Sequence, residues 1–216
     1  MGPRDEAFGY ICRRCLNCCH DKHIQLNPYE VARLARHLRL STTEFRATHT
    51  IDGAGVALAR RDEEDGACVF LGPEGCEVHA DRPLVCRLYP LGRQLTSEGE
   101  ESFTHVAPHP FSRGELTREG TIAAWLNNQG AEPFIRAADA YLVWLNAALE
   151  VVPEATDQVR AKESSTSPAG VIDILDMDAV IAAFGAGPAP DDLEARRERH
   201  LEILYRQLSP EREERA

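Results

Sequence analysis

The cysteines are the residues of this chain whose type and spacing could do chemistry. Four lie within eight residues, in the stretch CRRCLNCC, and three more follow downstream. The full set is Cys12, Cys15, Cys18, Cys19, Cys68, Cys76 and Cys86. Thiolates bind soft or borderline metals, and C-x-x-C spacing lets neighbouring sulfurs converge on one centre. The pattern therefore predicts a metal-binding region in the first half of the chain.

A disulfide framework is the main alternative to metal binding, and two features of the sequence disfavour it. Such frameworks belong mostly to secreted chains and pair an even number of cysteines, whereas this chain has seven. Its first ten residues, MGPRDEAFGY, also lack the apolar segment of a secretory signal. We therefore expect reduced thiols and a cytoplasmic location.

Charge and hydropathy argue against two further classes of protein. The formal net charge of the chain is −11, and because phosphate neutralisation supplies most nucleic-acid affinity, we expect no nucleic-acid partner. No stretch approaches the roughly 18 apolar residues of a membrane helix, so we expect no membrane partner either. Basic residues near the cysteines could offset the negative charge of a metal–thiolate centre. These are Arg13, Arg14, Lys22, Arg82 and Arg87.

The spacing of the first cysteines leaves the identity of the metal open. Cys12, Cys15 and Cys18 reproduce the C-x-x-C-x-x-C start of the bacterial ferredoxin run, and Cys86 could supply a fourth ligand. A zinc ion would accept the same thiolates. We expect an iron–sulfur cluster, with [4Fe–4S] favoured, and zinc as the alternative.

The adjacent pair Cys18 and Cys19 adds a constraint. Successive side chains of an extended chain point to opposite sides, so a single metal ion would not take both sulfurs. Cys19 then either serves a second centre or is structural. Together with the downstream cysteines, there are enough thiols for one four-ligand site and most of another.

Local signals predict helices and short strands around the cysteines. Asn27, Pro28 and Glu30 form a capping signature at the start of one helix, and the stretch Ser41–Glu44 repeats it before a second. Between residues 53 and 104, short apolar runs alternate with turn residues, which is typical of small strands.

Helical patterns return in the second half of the chain. One follows Thr117, another begins at Pro133, and two more span about residues 176–184 and 193–208. The predicted fold is therefore α+β and mostly helical. It has a small irregular cysteine-rich metal-binding region packed on helices, with a C-terminal helical appendage.

The same patterns predict three parts of the chain. They are a cysteine-cluster metal-binding domain at residues 8–150, a polar linker at 151–172 and a C-terminal helical segment at 173–216. The last helix carries an apolar stripe that suits a partner protein, although that partner is unknown. The stripe consists of Leu193, Leu201, Leu204, Tyr205 and Leu208.

Three motifs resemble those of a zinc- or iron-chelating domain family with the signature C-x-x-C-x-x-C-C, also called YkgJ-like. Cys12–Cys19 matches that signature, and the CVFL of Cys68–Leu71 resembles the family's C-x-F-L. The CEVHADRPLVCRLYP of Cys76–Pro90 resembles C-x-I-Y-x-x-R-P-x-x-C-R-x-[FY]-P. The resemblance covers about residues 12–130 and implies a metal centre. We expect the seven cysteines to be its ligands.

The chain differs from the family pattern at three positions. Leu16 stands where the family usually has glycine, and His79 stands where it has tyrosine. His109 stands where many members carry a further cysteine, so we expect it to complete the ligand set. His79 and His105 are rival donors.

Three functions remain open from the sequence. The first is a cytosolic metal-cluster protein with a role in redox chemistry or metal handling. The second is a metal-dependent protein-modifying enzyme, because a relative, the flagellin lysine N-methylase, shares a cysteine cluster. The third is a zinc-stabilised interaction module whose C-terminal helices bind a partner. No catalytic residue can be assigned.

Overall fold

The computed structural model describes residues 2–51, 57–59, 66–96, 98–151 and 173–208. Its helices are α1 (Pro28–Leu38), α2 (Thr42–His49), α3 (Leu84–Leu88), α4 (Ile122–Asn128), α5 (Glu132–Val151), α6 (Met177–Phe184) and α7 (Leu193–Leu208). Its strands are β1 (Ala7–Ile11), β2 (Thr50–Ile51), β3 (Ala57–Leu58), β4 (Leu71–Gly72), β5 (Gly75–Cys76), β6 (Leu91–Leu95), β7 (Glu101–His105) and β8 (Glu115–Thr121). Helices with small antiparallel sheets confirm the predicted mostly helical α+β class.

The described residues divide into two compact units. The first comprises those of 1–24 and 58–135, and the second comprises those of 25–57 and 136–216. All seven cysteines and His109 therefore belong to the first unit. The predicted linker at 151–172 lies outside the described residues, except for Val151 at the end of α5.

Two antiparallel ribbons support the first unit. β1 pairs with β8, from Ala7 opposite Thr121 to Ile11 opposite Glu115, and β6 pairs with β7. Their apolar side chains pack with those of α3, α4 and the start of α5 into one core. The core residues are Phe8, Leu88, Leu91, Phe103, Ile122, Leu126, Ala131 and Ile135.

The predicted start of the helix after Thr117 is wrong. Residues Glu115–Thr121 form β8, and α4 begins only at Ile122. The Thr121 side chain accepts a hydrogen bond from the Ala124 N–H at 3.2 Å and so caps the helix. The β1–β8 ribbon was not predicted.

Hydroxyl groups and carboxylates connect the helices of the second unit. The Thr42 hydroxyl donates to Asp176 at 2.6 Å, and the Tyr29 hydroxyl donates to Glu194 at 2.5 Å. The predicted starts of α1 and α2 and the two C-terminal helices, α6 and α7, are confirmed. None of the described helices combines the length and apolar character that a membrane crossing needs.

Candidate metal centre

Backbone turns of unusual handedness shape the first cysteine segment. Arg14 has φ 49° and Leu16 has φ 65°, in a region that residues with a Cβ occupy only at a cost. A short 3-10 turn, Asn17–Cys19, follows directly, and the Cys19 N–H donates to the Leu16 carbonyl at 2.9 Å. The chain therefore reverses sharply between the second and third cysteines.

The pair Cys18 and Cys19 corrects the expectation that adjacent cysteines point apart. Their Sγ atoms lie 3.9 Å from each other. The reason is the 3-10 turn, because successive side chains are about 120° apart around a helix of three residues per turn. On a strand they would be about 180° apart. The two sulfurs are thus close enough to act together.

This contact shifts the pKa values of the two thiols in opposite directions. A hydrogen bond from Cys19 lowers the pKa of Cys18 to about 7. The same bond, together with burial, raises the pKa of Cys19. Cys18 is therefore the more readily ionised of the two thiols, and the thiolate is the form that binds a metal.

Backbone pairing brings Cys68 and Cys76 to the same region. The Cys68 N–H donates to the Cys19 carbonyl at 2.8 Å, next to a bridge between His20 and Ala67. The β4–β5 hairpin then carries Cys76 at its end. Burial raises the pKa of both thiols, so a cation that binds them has to displace their protons.

Cys86 lies on α3, and the neighbouring Arg87 anchors this short helix. Arg87 is only 6% exposed. Its guanidinium donates to the carbonyl oxygens of Ala80 and Arg82, at 2.5 and 3.0 Å. These bonds close the loop that leads from the 3-10 turn His79–Asp81 into α3.

The same guanidinium reaches the turn between α4 and α5. Arg87 donates to the Gln129 carbonyl at 2.7 Å, and its central carbon lies 4.0 Å from the centroid of the Phe134 ring. Gly130 has φ 58°, and a Cβ there would lie 3.6 Å from the Arg87 guanidinium. The loop that carries Cys86 is therefore fixed to the α4–α5 turn.

Cys12 and Cys15 lie beside a different loop, at residues 109–114. The Arg113 N–H donates to the Cys15 Sγ at 3.4 Å, and this bond is the largest of the effects that lower the pKa of Cys15. The Arg14 N–H donates to the Cys12 Sγ at 3.4 Å. Main-chain donors of this kind stabilise thiolates, as a metal site requires.

His109 belongs to the same loop. Its N–H donates to the Tyr89 hydroxyl at 3.3 Å, and its Nδ1 accepts from the Phe111 N–H at 3.2 Å. A neutral imidazole that accepts through Nδ1 carries its proton on Nε2. Metal binding through Nε2 would move that proton to Nδ1 and break the bond to Phe111. The rival donor His79 has its Nδ1 3.4 Å from an Arg82 nitrogen.

Five thiols share one electrostatic environment, and we call them the cysteine cluster: Cys18, Cys19, Cys68, Cys76 and Cys86. Cys19 interacts with Cys18, Cys76 and Cys86, and Cys76 also interacts with Cys68. None of these thiols is fully buried. By chemistry and proximity, this donor set fits zinc or iron.

The donors are not yet arranged as a complete site. Within the part of the chain that the structure describes, no three Cys, His, Asp or Glu side chains stand in a geometry that could hold a metal ion. The Cys18 and Cys19 sulfurs are 3.9 Å apart and could hold an ion together, and any further ligands would have to come from neighbouring thiols of the cluster.

Arg82 is a cation that interacts with two thiols of the cysteine cluster, Cys76 and Cys86, and with Cys12. Burial lowers the pKa of Arg82, and the thiols of Cys86, Cys76 and Cys12 act in the opposite direction. Its charge would offset that of the thiolates, as the sequence predicts for basic residues near the cysteines.

Two contributors to this site were missed in the sequence. The Arg113 N–H acts through the main chain, so its side-chain type gives no signal. Gln129 accepts hydrogen bonds from both Arg82 and Arg87. In the sequence, only the following Gly130 indicates a turn at this position, and nothing indicates these contacts.

The comparisons agree with the motifs. Residues 11–109 match the sequence model of the family CxxCxxCC, described as "Putative zinc- or iron-chelating domain". The match ends about 20 residues before the expected end of the resemblance at residue 130. No curated protein and no solved structure matches the chain. The resemblance predicted from the sequence is thus confirmed over residues 11–109, the part of the chain that matches the model of the CxxCxxCC family.

Proposed function

We propose that this protein binds zinc or iron through the cysteine cluster and handles that metal in a reducing compartment such as the cytoplasm. The observation that carries the proposal is the 3.9 Å separation of the Cys18 and Cys19 sulfurs. Tetrahedral zinc with bonds of about 2.3 Å to sulfur places neighbouring sulfurs roughly 3.8 Å apart. The pair therefore has the spacing of two ligands on one ion.

The sulfur pair also bears on the kind of centre. In a [4Fe–4S] cluster with four cysteine ligands, each iron takes one sulfur. Two sulfurs on a single ion instead favour a mononuclear zinc or iron site over the [4Fe–4S] cluster expected from the spacing. We propose Cys18 and Cys19 as two of its ligands, and Cys76 and Cys86, which lie near enough to Cys19 to raise its pKa, as the other two.

The remaining candidates are peripheral to this proposed site. Cys68 interacts with Cys76, so it is a reserve ligand. Cys12 and Cys15, with His109 in the loop beside them, are candidates for a second ion. If His109 bound that ion through Nε2, its proton would move from Nε2 to Nδ1.

Exposure of the thiols favours metal handling over a purely structural role. Structural zinc sites are closed, whereas Cys12 and Cys18 are exposed and the other five cysteines are partly so. The hydrogen bond from Cys19 also lowers the pKa of Cys18, which favours its thiolate form. An ion held by such thiolates can be delivered to, or taken by, another thiol-bearing molecule.

Metal and sulfide analysis after anaerobic purification tests the proposal. We expect one zinc or iron ion held by the proposed ligands, no stoichiometric acid-labile sulfide, and transfer of the ion to a competing chelator under native conditions. The variant Cys18→Ser/Cys19→Ser should lose that ion. Acid-labile sulfide in stoichiometric amount would contradict the mononuclear site, and wild-type protein without metal would contradict the proposed function.

A further inference from the structure

We propose that Gln129 is a positioning residue of the metal centre, because it holds the guanidinium of Arg82 beside the thiols. The inference rests on the proposed function and adds to it a residue outside the matched segment, residues 11–109. It assigns a role to the α4–α5 turn, which carries no metal donor of its own.

Both terminal nitrogens of Arg82 donate hydrogen bonds. Nη2 donates to the Gln129 Oε1 at 2.6 Å, and Nη1 donates to the His79 carbonyl at 2.6 Å. Because a guanidinium is planar and rigid, two short bonds on different nitrogens fix both its position and its orientation. The His79 carbonyl lies within the cysteine-bearing loop, so Gln129 is the acceptor that connects Arg82 to another element.

Gln129 is itself held in place from both sides. Its N–H donates to the Trp125 carbonyl at 3.0 Å, at the end of α4. Its carbonyl accepts from Arg87 at 2.7 Å. Gln129 therefore accepts hydrogen bonds from two arginines. Its main-chain carbonyl accepts from Arg87, and its side-chain oxygen accepts from Arg82.

The position of Arg82 matters for the charge of the site. Arg82 interacts electrostatically with Cys76 and Cys86, two of the proposed ligands, and with Cys12. Four thiolates around a divalent ion leave a net negative charge, which a fixed guanidinium offsets. Partners that orient or support ligands in this way typically change metal affinity by about 10- to 100-fold when they are removed.

Zinc affinity in a double-mutant cycle tests the assignment. The affinity for Zn²⁺ is measured anaerobically by competition with a chromophoric chelator, in the full chain, for Gln129→Met, Arg82→Met and the double variant. We expect each single variant to bind zinc about tenfold more weakly. The double variant should be no weaker than Arg82→Met, because Gln129 acts through Arg82.

A matched control comes from the preceding residue. Asn128 is exposed at the end of the same helix, so Asn128→Met removes an amide without touching Arg82 and should keep the wild-type affinity. Gln129→Glu retains an acceptor oxygen. In ¹⁵N NMR of the metal-free protein, the Arg82 side-chain signal should stay ordered in Gln129→Glu and become mobile in Gln129→Met.

The outcomes separate this inference from the proposed function. Unchanged zinc affinity in Gln129→Met, or losses that add in the double variant, would overturn the role of Gln129 while leaving the metal site intact. Wild-type protein that fails to bind zinc or iron would overturn the proposed function itself. A Gln129→Met variant that fails to fold is replaced by Gln129→Glu, for which a mobile Arg82 signal would equally overturn the assignment.

Discussion

Leu16 occupies a left-handed backbone position, with φ 65°, at the site where relatives usually have glycine. Its Cδ2 lies 3.6 Å from the place that a Cβ on Gly75 would take, so the side chain also packs on the β4–β5 turn. Leu16 therefore combines backbone strain with a packing contact. Glycine would relieve the strain, and a β-branched residue would increase it.

The free energies of unfolding of two variants decide which effect dominates at this position. We expect Leu16→Val to be less stable than Leu16→Gly by about 1 kcal/mol in urea unfolding, although valine retains more of the side chain. Leu142 on α5, which is 37% exposed, provides the control. There the order should reverse, since glycine costs about 1 kcal/mol inside a helix. A less stable Leu16→Gly would mean that packing outweighs strain.

The cysteine pair leads to a second prediction. Because the Cys18 and Cys19 sulfurs lie 3.9 Å apart, Cys18→Ser and Cys19→Ser should lose the same ion to the same extent. Metal content after anaerobic purification measures this, with Cys12→Ser as a variant that keeps the ion. Loss in Cys18→Ser with retention in Cys19→Ser would show that the two sulfurs serve different centres.

At the scale of elements, the sequence predicts those helix starts that depend on contacts between residues close together in the chain. The start of α1 is an example, because Asn27 and Glu30 exchange both bonds of the capping box at 3.0 Å. Both partners lie within four residues, so their types alone indicate the contact. The turn at Cys18 and Cys19 is equally local, but no residue type in LNCC marks a 3-10 turn, so the sequence predicts an extended chain there.

Pairing between distant segments could not be predicted in the same way. β8 is largely polar, with the sequence ELTREGT, and most of its side chains are exposed. Its partner β1 lies more than a hundred residues earlier, with Ala7 opposite Thr121. The link between Arg82 and Gln129 is of the same kind, because only the folded α4–α5 turn brings the two residues together.

Arg87 shows how one side chain fixes an element. The variant Arg87→Met would leave the carbonyls of Ala80, Arg82 and Gln129 without this donor, at a cost of about 3 kcal/mol in unfolding free energy. Arg87→Lys should recover only part of this stability, because a single compact ammonium group cannot donate to all three carbonyl oxygens at once. Urea unfolding measures both.

The control for Arg87 is Arg118, which is exposed on β8. Arg118→Met should change the unfolding free energy by no more than about 0.5 kcal/mol. Equal effects of the two substitutions would show that the buried guanidinium does not anchor the loop of Cys86.

At the scale of the whole molecule, each unit contains one tryptophan. Trp125 belongs to the first unit and Trp144 to the second, and the chain has no others. The variants Trp144→Phe and Trp125→Phe therefore leave a single fluorescent reporter in one unit at a time. Each unit can then be followed by itself in the full chain.

Metal removal should act on the first unit. A ligand present at 100 to 1,000 times its dissociation constant stabilises by about 3–4 kcal/mol, and its loss lowers the Tm of a unit of this size by about 10 °C or more. When a chelator is added under reducing conditions, we expect the Tm reported by Trp125 fluorescence to fall by this amount and the Tm reported by Trp144 to stay unchanged. An unchanged Trp125 transition would show that the metal contributes nothing to the folding of the cysteine-bearing unit.

The second unit has its own titrating group, the buried His200. Its Nδ1 lies 2.9 Å from the Tyr141 hydroxyl, and burial lowers the pKa of His200 to about 4, against the smaller opposing effect of Asp176 and Asp178. The unfolded chain binds this proton near pH 6.5. Between about pH 6.5 and pH 4 the unfolded state therefore binds more protons, so stability falls as the pH falls through this window.

The loss from His200 should reach at most about 3 kcal/mol and should be complete below pH 4, where both states are protonated. Trp144 fluorescence in urea unfolding at a series of pH values measures it. His200→Gln stays neutral and offers an oxygen to the Tyr141 hydroxyl, so its profile should be flatter over this range. If His200→Gln keeps the wild-type slope, the acid sensitivity of the second unit does not arise from the buried imidazole.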